Sequence, residues 1–129
     1  MSLIATLRKH LMGLQTVNGK DRNMVQDIDA STLAQWLKSG EAVVIDVREA
    51  DEFAGGHIEG AVSLPLSVFP QKFDRAQYPA DKKVVLQCQG GVRSMKACQI
   101  AHDVAEKEHV LNLSGGLNAW RSAGLPIVR

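Results

Sequence analysis

Two cysteines in a chain of 129 residues are too few for a disulfide scaffold, and Cys88 and Cys98 do not sit at framework spacings. That scarcity points to a reducing compartment. No apolar run approaches the roughly 20 residues of a membrane-spanning helix. A secretory signal is missing as well: Arg8, Lys9 and His10 interrupt the apolar residues of the N-terminus, and no small-residue cleavage site follows them. Nor is there an excess of one charge. Fifteen Lys and Arg meet fourteen Asp and Glu, for a net charge of +1, with neither an acidic tail nor a basic stripe, so nucleic acid is not a favoured partner. His10, His57, His102 and His109 show no paired ligand spacing, and no metal site or cofactor is expected. Internal repeats and low-complexity tracts are absent. The expectation is a soluble cytoplasmic protein of one domain, for which 45% hydrophobic residues provide ample core.

Residues 1–23 form an extension. Leu3, Ile4, Leu7, Leu11 and Leu14 recur at helical spacing, and the polar run Asn18 to Asn23 reads as a linker to a domain spanning 24–129. The apolar stripe is expected to pack on its own domain or on a second copy, the latter giving a homodimer through this helix, with a membrane-surface or partner-docking helix as the alternative. From Asp29 onward helix and strand alternate. Ala30 to Lys38 is a predicted helix closed by Ser39-Gly40, and Ala42 to Val47 is a continuous apolar strand. A helical turn from Glu49 to Ala54 precedes a strand at Ala61-Val62-Ser63-Leu64. Ser67 to Gln77 is a helix interrupted by Pro70. Strands at Val84 to Gln87 and Val110 to Leu113 flank a helix from Ser94 to Lys107, and Leu117 to Ala123 is the last helix. Strands separated by helices of this length predict an α/β fold: an open, mostly parallel sheet with helices on both faces. In such sheets the site lies beyond the carboxyl ends of the strands, where Cys88 and Asp46-Val47-Arg48 both fall.

The heptad Cys88-Gln89-Gly90-Gly91-Val92-Arg93-Ser94 carries the chemistry. It sets one thiol after a buried strand, then a glycine-containing loop, then an arginine at the opening of a helix. Loop N–H groups and a helix N-terminus aimed at Cys88 favour a thiolate over a thiol. Gly90 and Gly91 permit the left-handed angles that turn several N–H groups inward. Arg93 can buttress the loop or bind an oxyanion through its planar fork. No histidine partner for Cys88 is evident, so activation falls to the cradle. Four residues separate Cys88 from Arg93, a spacer one residue shorter than in tyrosine-phosphatase-like loops. The tighter cradle suits one additional sulfur on the cysteine better than a phosphoryl group. Cys98 has no such surroundings and reads as a core residue.

The chain resembles single-domain rhodaneses, a family of sulfurtransferases. Three blocks carry the likeness: Val44 to Glu49 continuing through Glu52-Phe53 to Gly56-His57-Ile58-Glu59-Gly60-Ala61 and Pro65; the loop from Cys88 to Ser94; and Leu113-Ser114-Gly115-Gly116-Leu117-Asn118-Ala119-Trp120 with Ala123-Gly124-Leu125-Pro126. The resemblance implies that Cys88 carries a sulfane sulfur as a persulfide between a donor, thiosulfate or another persulfide, and a small-molecule or protein thiol acceptor. Gln89, Gly90, Gly91, Val92 and Arg93 would bind substrate through the loop, with their N–H groups stabilising the persulfide anion. Asp46 and His57 are expected to stabilise turns, Trp120 to be structural, and Arg48 to reach the site mouth. Because Gln89 and Gly90 stand where polar or basic residues are frequent in the family, binding of the thiosulfate dianion is expected to be weak. The competing readings are a non-catalytic binding module on the same fold and, less favoured on loop length, a phosphatase or arsenate reductase.

Overall fold

The computed structural model describes residues 25–104 and 110–129. The expected N-terminal helix, linker and dimer contact lie outside them, as do the last residues of the helix expected to run to Lys107. Among the described residues five strands form one sheet, ordered β1-β5-β4-β2-β3, and every pair is parallel. The strands are β1 (Gln26–Ile28), β2 (Ala42–Asp46), β3 (Val62–Ser63), β4 (Lys83–Gln87) and β5 (Val110–Leu113). The helices are α1 (Ala30–Ser39), α2 (Ala50–Ala54), α3 (Phe69–Lys72), α4 (Val92–Val104) and α5 (Gly116–Ser122). This is the expected α/β architecture. No described helix is long and apolar enough to cross a membrane.

Side-chain alternation sorts the core into two layers. Ile45, Val84, Leu86 and Cys88 pack with Phe69 of α3 and with Ala97, Cys98 and Ala101 of α4. On the opposite face Val44, Val85 and Leu113 pack with Ala30 and Leu33 of α1 and with Leu117 and Trp120 of α5. Helices therefore cover both faces. Buried on two sides, β2 and β4 need the unbroken apolar runs seen in the sequence.

Local signals set the helix ends. The Asp29 carboxylate accepts from the Thr32 N–H at 2.9 Å to cap α1, and Gly40 ends that helix with φ 78°. A capping box between Glu49 and Glu52 opens α2, and Glu52 thereby acquires a fixed position near the sheet edge. The expected helix from Ser67 to Gln77 is instead broken: a 3-10 turn at Leu66–Val68, the short α3, and a second 3-10 turn at Arg75–Gln77. Pro70 fits the first turn of α3, but a four-residue helix is all that follows before the chain extends at Phe73. The strand β1 went unpredicted, because three residues with two polar side chains carry no readable alternation. Its pairing with β5 supplies the definition.

The order β1-β5-β4-β2-β3 creates a switch point. The chain leaves β2 toward β3 on one side and leaves β4 toward β5 on the other. A crevice opens where two such connections part. Asp46 and Gln87 are in register at that edge, and the Val47 N–H donates to the Gln87 carbonyl at 2.8 Å. Arg48 and Cys88 follow directly.

Trp120 ties the far layer together. It is 3% exposed, and its Nε1 donates to the Pro126 carbonyl at 2.8 Å, fastening the C-terminal segment. Trp120→Ala is expected to destabilise the fold by about 3–5 kcal/mol, measured as a lower urea midpoint with an unchanged m-value.

Candidate active site

Cys88 is the first residue beyond β4 and is 1% exposed. Its sulfur accepts from the Gly91 N–H at 3.0 Å, from the Ser94 N–H at 3.4 Å and from the Ser94 hydroxyl at 3.4 Å. The helix α4 begins at Val92, two residues before the expected start, so Ser94 lies in its first turn with an N–H still free to donate outward. Burial works to raise the Cys88 thiol. The Ser94 hydroxyl and the N–H groups of Ser94, Gly91 and Gly90 outweigh it and hold the thiol below its ordinary range.

The N-terminus of α5 shapes this cradle from behind. The Leu117 N–H donates to the Cys88 carbonyl at 2.8 Å, and the Asn118 N–H to the Gln89 carbonyl at 3.0 Å. A carbonyl and the N–H of the same peptide point in opposite directions. Anchoring these two oxygens on α5 therefore turns the Gln89 and Gly90 N–H groups toward the loop interior. The approach is close enough to require glycine: at Gly116, with φ 58°, a Cβ would lie 2.5 Å from the Cys88 oxygen. Gly91 has φ 101°, and a Cβ there would meet the Gly115 nitrogen at 3.3 Å.

Both arginines near the sulfur are already paired. Arg48 is buried and binds Asp46 through Nε and Nη2, at 3.0 and 2.8 Å, and the Gly56 carbonyl at 2.7 Å. It reaches the loop, as its third interaction is with Gln89 Oε1 at 3.3 Å. Asp46 also accepts from the Arg48 N–H at 3.0 Å, which is the turn-stabilising role expected of it. Arg93 does not turn back to the sulfur. Its fork binds both oxygens of Glu52, at 2.8 and 3.0 Å, and so buttresses the loop against α2. Glu52 is held down to about 2 by that hydrogen-bonded guanidinium, and Arg93 is raised in return.

The expected binding residues thus divide by role. Gly90 and Gly91 serve through their backbone. Gln89 is a strut, with its oxygen on Arg48 and its Nε2 donating to Asn118 Oδ1 at 2.7 Å. Val92 projects outward, 80% exposed, and its side chain contributes nothing to the cradle. Ser94 was missed as a ligand of the sulfur, although its place in the first turn after the loop was a usable signal. Asn112 was missed too. It is a single polar residue in an otherwise apolar strand, 2% exposed, and it accepts from the Ser94 hydroxyl at 2.6 Å. His57 has the expected turn role: its Nδ1 lies 2.8 Å from the Phe53 carbonyl, and its ring stacks on Phe53 at 3.8 Å. Cys98 is fully buried, and burial, with the charges of Asp27 and Cys88, pushes its thiol up to about 12.

A caged thiol at the switch point of a parallel α/β sheet, facing a helix N-terminus, defines a class of anion-stabilising cysteine sites. The comparisons narrow that class. Residues 29–123 match the model of the rhodanese-like domain, and the chain belongs to that family. A protein of Allochromatium vinosum named sulfurtransferase is 40% identical over 106 residues, covering 81% of this chain and 96% of that one. An uncharacterised Synechocystis protein is 42% identical over 103 residues, covering 79% of this chain and 55% of that one. The human single-domain sulfurtransferase TSTD1 superposes with a TM-score of 0.64 at 28% identity, over 76% of this chain and 96% of that one. The chain spans nearly all of the first of these relatives and about half of the second.

Gly116→Ala is expected to push the Cys88–Gln89 backbone off α5 and to slow iodoacetamide alkylation of Cys88 at neutral pH by about tenfold or more. Glu52 ionises more readily folded than unfolded, so its contribution to stability is complete above its ordinary value of 4.5 and is lost as pH falls toward about 2. The stability difference between the native chain and Glu52→Gln, read by denaturant titration, should therefore shrink across that window and stay constant above it.

Proposed function

We propose that this protein is a sulfurtransferase in which Cys88 carries a sulfane sulfur as a persulfide. The observation that carries the reading is the set of backbone donors converging on one buried sulfur, the Gly91 N–H and the Ser94 N–H, with the Ser94 hydroxyl 3.4 Å away. Such donors stabilise a negative charge on sulfur without a neighbouring general base. Membership of the rhodanese-like family and likeness to proteins named sulfurtransferases support it.

The transfer balances in two displacements. The Cys88 thiolate attacks the outer sulfur of the donor, forming the Cys88 S–S bond. The donor's own bond to that sulfur breaks, and the electron pair leaves with it, as sulfite from thiosulfate or as a thiolate from a persulfide. A thiolate or cyanide then attacks the outer sulfur, the Cys88 S–S bond breaks, and the electron pair returns to Cys88 as thiolate. This is covalent catalysis with no net redox change. N–H donors that hold the thiolate also hold the persulfide anion.

The charge balance bears on the donor. Arg48 is neutralised by Asp46, and Arg93 by Glu52. Neither offers a free fork to a dianion, so a singly charged persulfide is the favoured donor and thiosulfate a poor one.

Protein incubated with a glutathione persulfide is expected to gain one sulfur atom on Cys88 by peptide mass spectrometry and to release thiocyanate on addition of cyanide. Cys88→Ser should lose both. Thiocyanate production by the Cys88→Ser variant at the native rate would exclude Cys88 as the carrier. A kcat/KM for thiosulfate above that for the persulfide would overturn the donor assignment.

A further inference from the structure

The Ser94 hydroxyl has one proton and two acceptors. Asn112 Oδ1 lies 2.6 Å from it and the Cys88 sulfur 3.4 Å. The amide of Asn112 is not free to turn over, because its Nδ2 donates to Asp27 Oδ1 at 3.0 Å and a carboxylate can only accept. Asp27 thus dictates that Asn112 shows Ser94 its oxygen. Ser94 is fully buried and Asn112 nearly so, which leaves the Asn112 oxygen dependent on that hydroxyl for its bond. When the Ser94 proton lies toward Asn112, the sulfur faces the lone pairs of the hydroxyl oxygen. Those favour a thiol and disfavour an anion.

From this geometry we propose that Asn112 and Asp27 are positioning residues that draw the Ser94 proton away from the Cys88 sulfur and so restrain its nucleophilicity. The inference rests on the reading of Cys88 as the nucleophile, and it adds a control on that nucleophile from the edge of the sheet. The connection runs from β1 through β5 to the first turn of α4. It ends at an exposed carboxylate that borders, with Lys96, Gln99 and Ser114, an open cleft of about 430 Å³ beside the loop. The restraint is partial. The backbone donors of Gly91 and Ser94 act on the sulfur whichever way the hydroxyl proton points.

Other charged and titratable groups lie around the loop and must be held constant in a test. These are the Arg93–Glu52 pair between α4 and α2, the Arg48–Asp46 pair at the end of β2, and the un-ionised Cys98 of α4. Asn112→Leu leaves all of these and the charge of Asp27 in place, while removing the competing acceptor and keeping the number and branching of the side-chain heavy atoms.

The experiment is the pH dependence of iodoacetamide alkylation of Cys88 in the full chain, with the modified peptide identified by mass spectrometry. It reads the thiol whether or not sulfur is transferred, so failure of the proposed activity and failure of this inference are separable. In Asn112→Leu the midpoint is expected to fall by roughly half to one pH unit, with alkylation below it about three- to tenfold faster. Ser94→Ala combined with Asn112→Leu should show no such fall relative to Ser94→Ala, since no hydroxyl proton remains to be released. An unchanged or raised midpoint in Asn112→Leu overturns the proposal, as does an equal fall in the Ser94→Ala background. Asp27→Asn supplies the second route if Asn112→Leu does not fold. Its fall in midpoint should diminish in the Ser94→Ala background, and an undiminished fall would reduce the part of Asp27 to its charge alone.

Discussion

The contact on which this structure depends is the capture of two loop carbonyls by the N-terminus of α5. The oxygens of Cys88 and Gln89 take the places that the first N–H groups of that helix would otherwise leave empty. In one step this satisfies orphan donors of α5 and orients the peptides of the loop. The face turned away from α5 is then rich in N–H groups, and the sulfur sits against it. The two backbones can approach so closely only because Gly116 has no side chain. The loop is thus held at its carbonyls from one helix while a second helix, α4, presents its own first turn to the sulfur. Two helix N-termini cooperate, one as scaffold and one as ligand.

Around this centre the charged side chains act as braces. Asp46 with Arg48 and Glu52 with Arg93 link the loop after β4 to the segment after β2. The first pair is buried, and its arginine reaches further acceptors in Gly56 and Gln89, as burying a charge requires. The second is partly exposed and guides position more than it adds stability. With both guanidinium groups committed, the anion-stabilising power of the site lies in fixed backbone dipoles. These need no reorganisation as charge develops, and they are suited to a compact, polarisable sulfur.

How far the site was legible varied with how local each interaction is. The cysteine after an apolar strand, the double glycine and the helix that follows are contiguous, so the heptad identified the cradle without any knowledge of the fold. Alternating apolar runs and capping signals likewise revealed the α/β architecture, because parallel strands buried on both faces must be continuously apolar. Arg93 shows the limit. Adjacency left it either to buttress the loop or to bind an oxyanion, and a capping box forty residues earlier decided for the buttress by placing Glu52 within reach of its fork. Gln89 was expected among the substrate-binding residues of the loop, and its side chain is a strut between Arg48 and Asn118. The strand β1 was invisible, since its only definition is its partner.

From the chain alone, then, came the choice of Cys88 as the candidate nucleophile, the length of its loop and the layered plan of the domain. Each is a property of neighbours in sequence or of a period along it. The side-chain contact of Ser94 with the Cys88 sulfur, the commitments of the two arginines and the path from Asp27 through Asn112 to Ser94 came from folding. They join residues on different strands and helices, and their meeting is set by strand order. A hydrogen bond depends on tenths of an ångström and on burial, and neither is encoded in spacing along the chain. The two levels meet at Gly116, a residue plain in the sequence whose reason is a carbonyl 28 positions away.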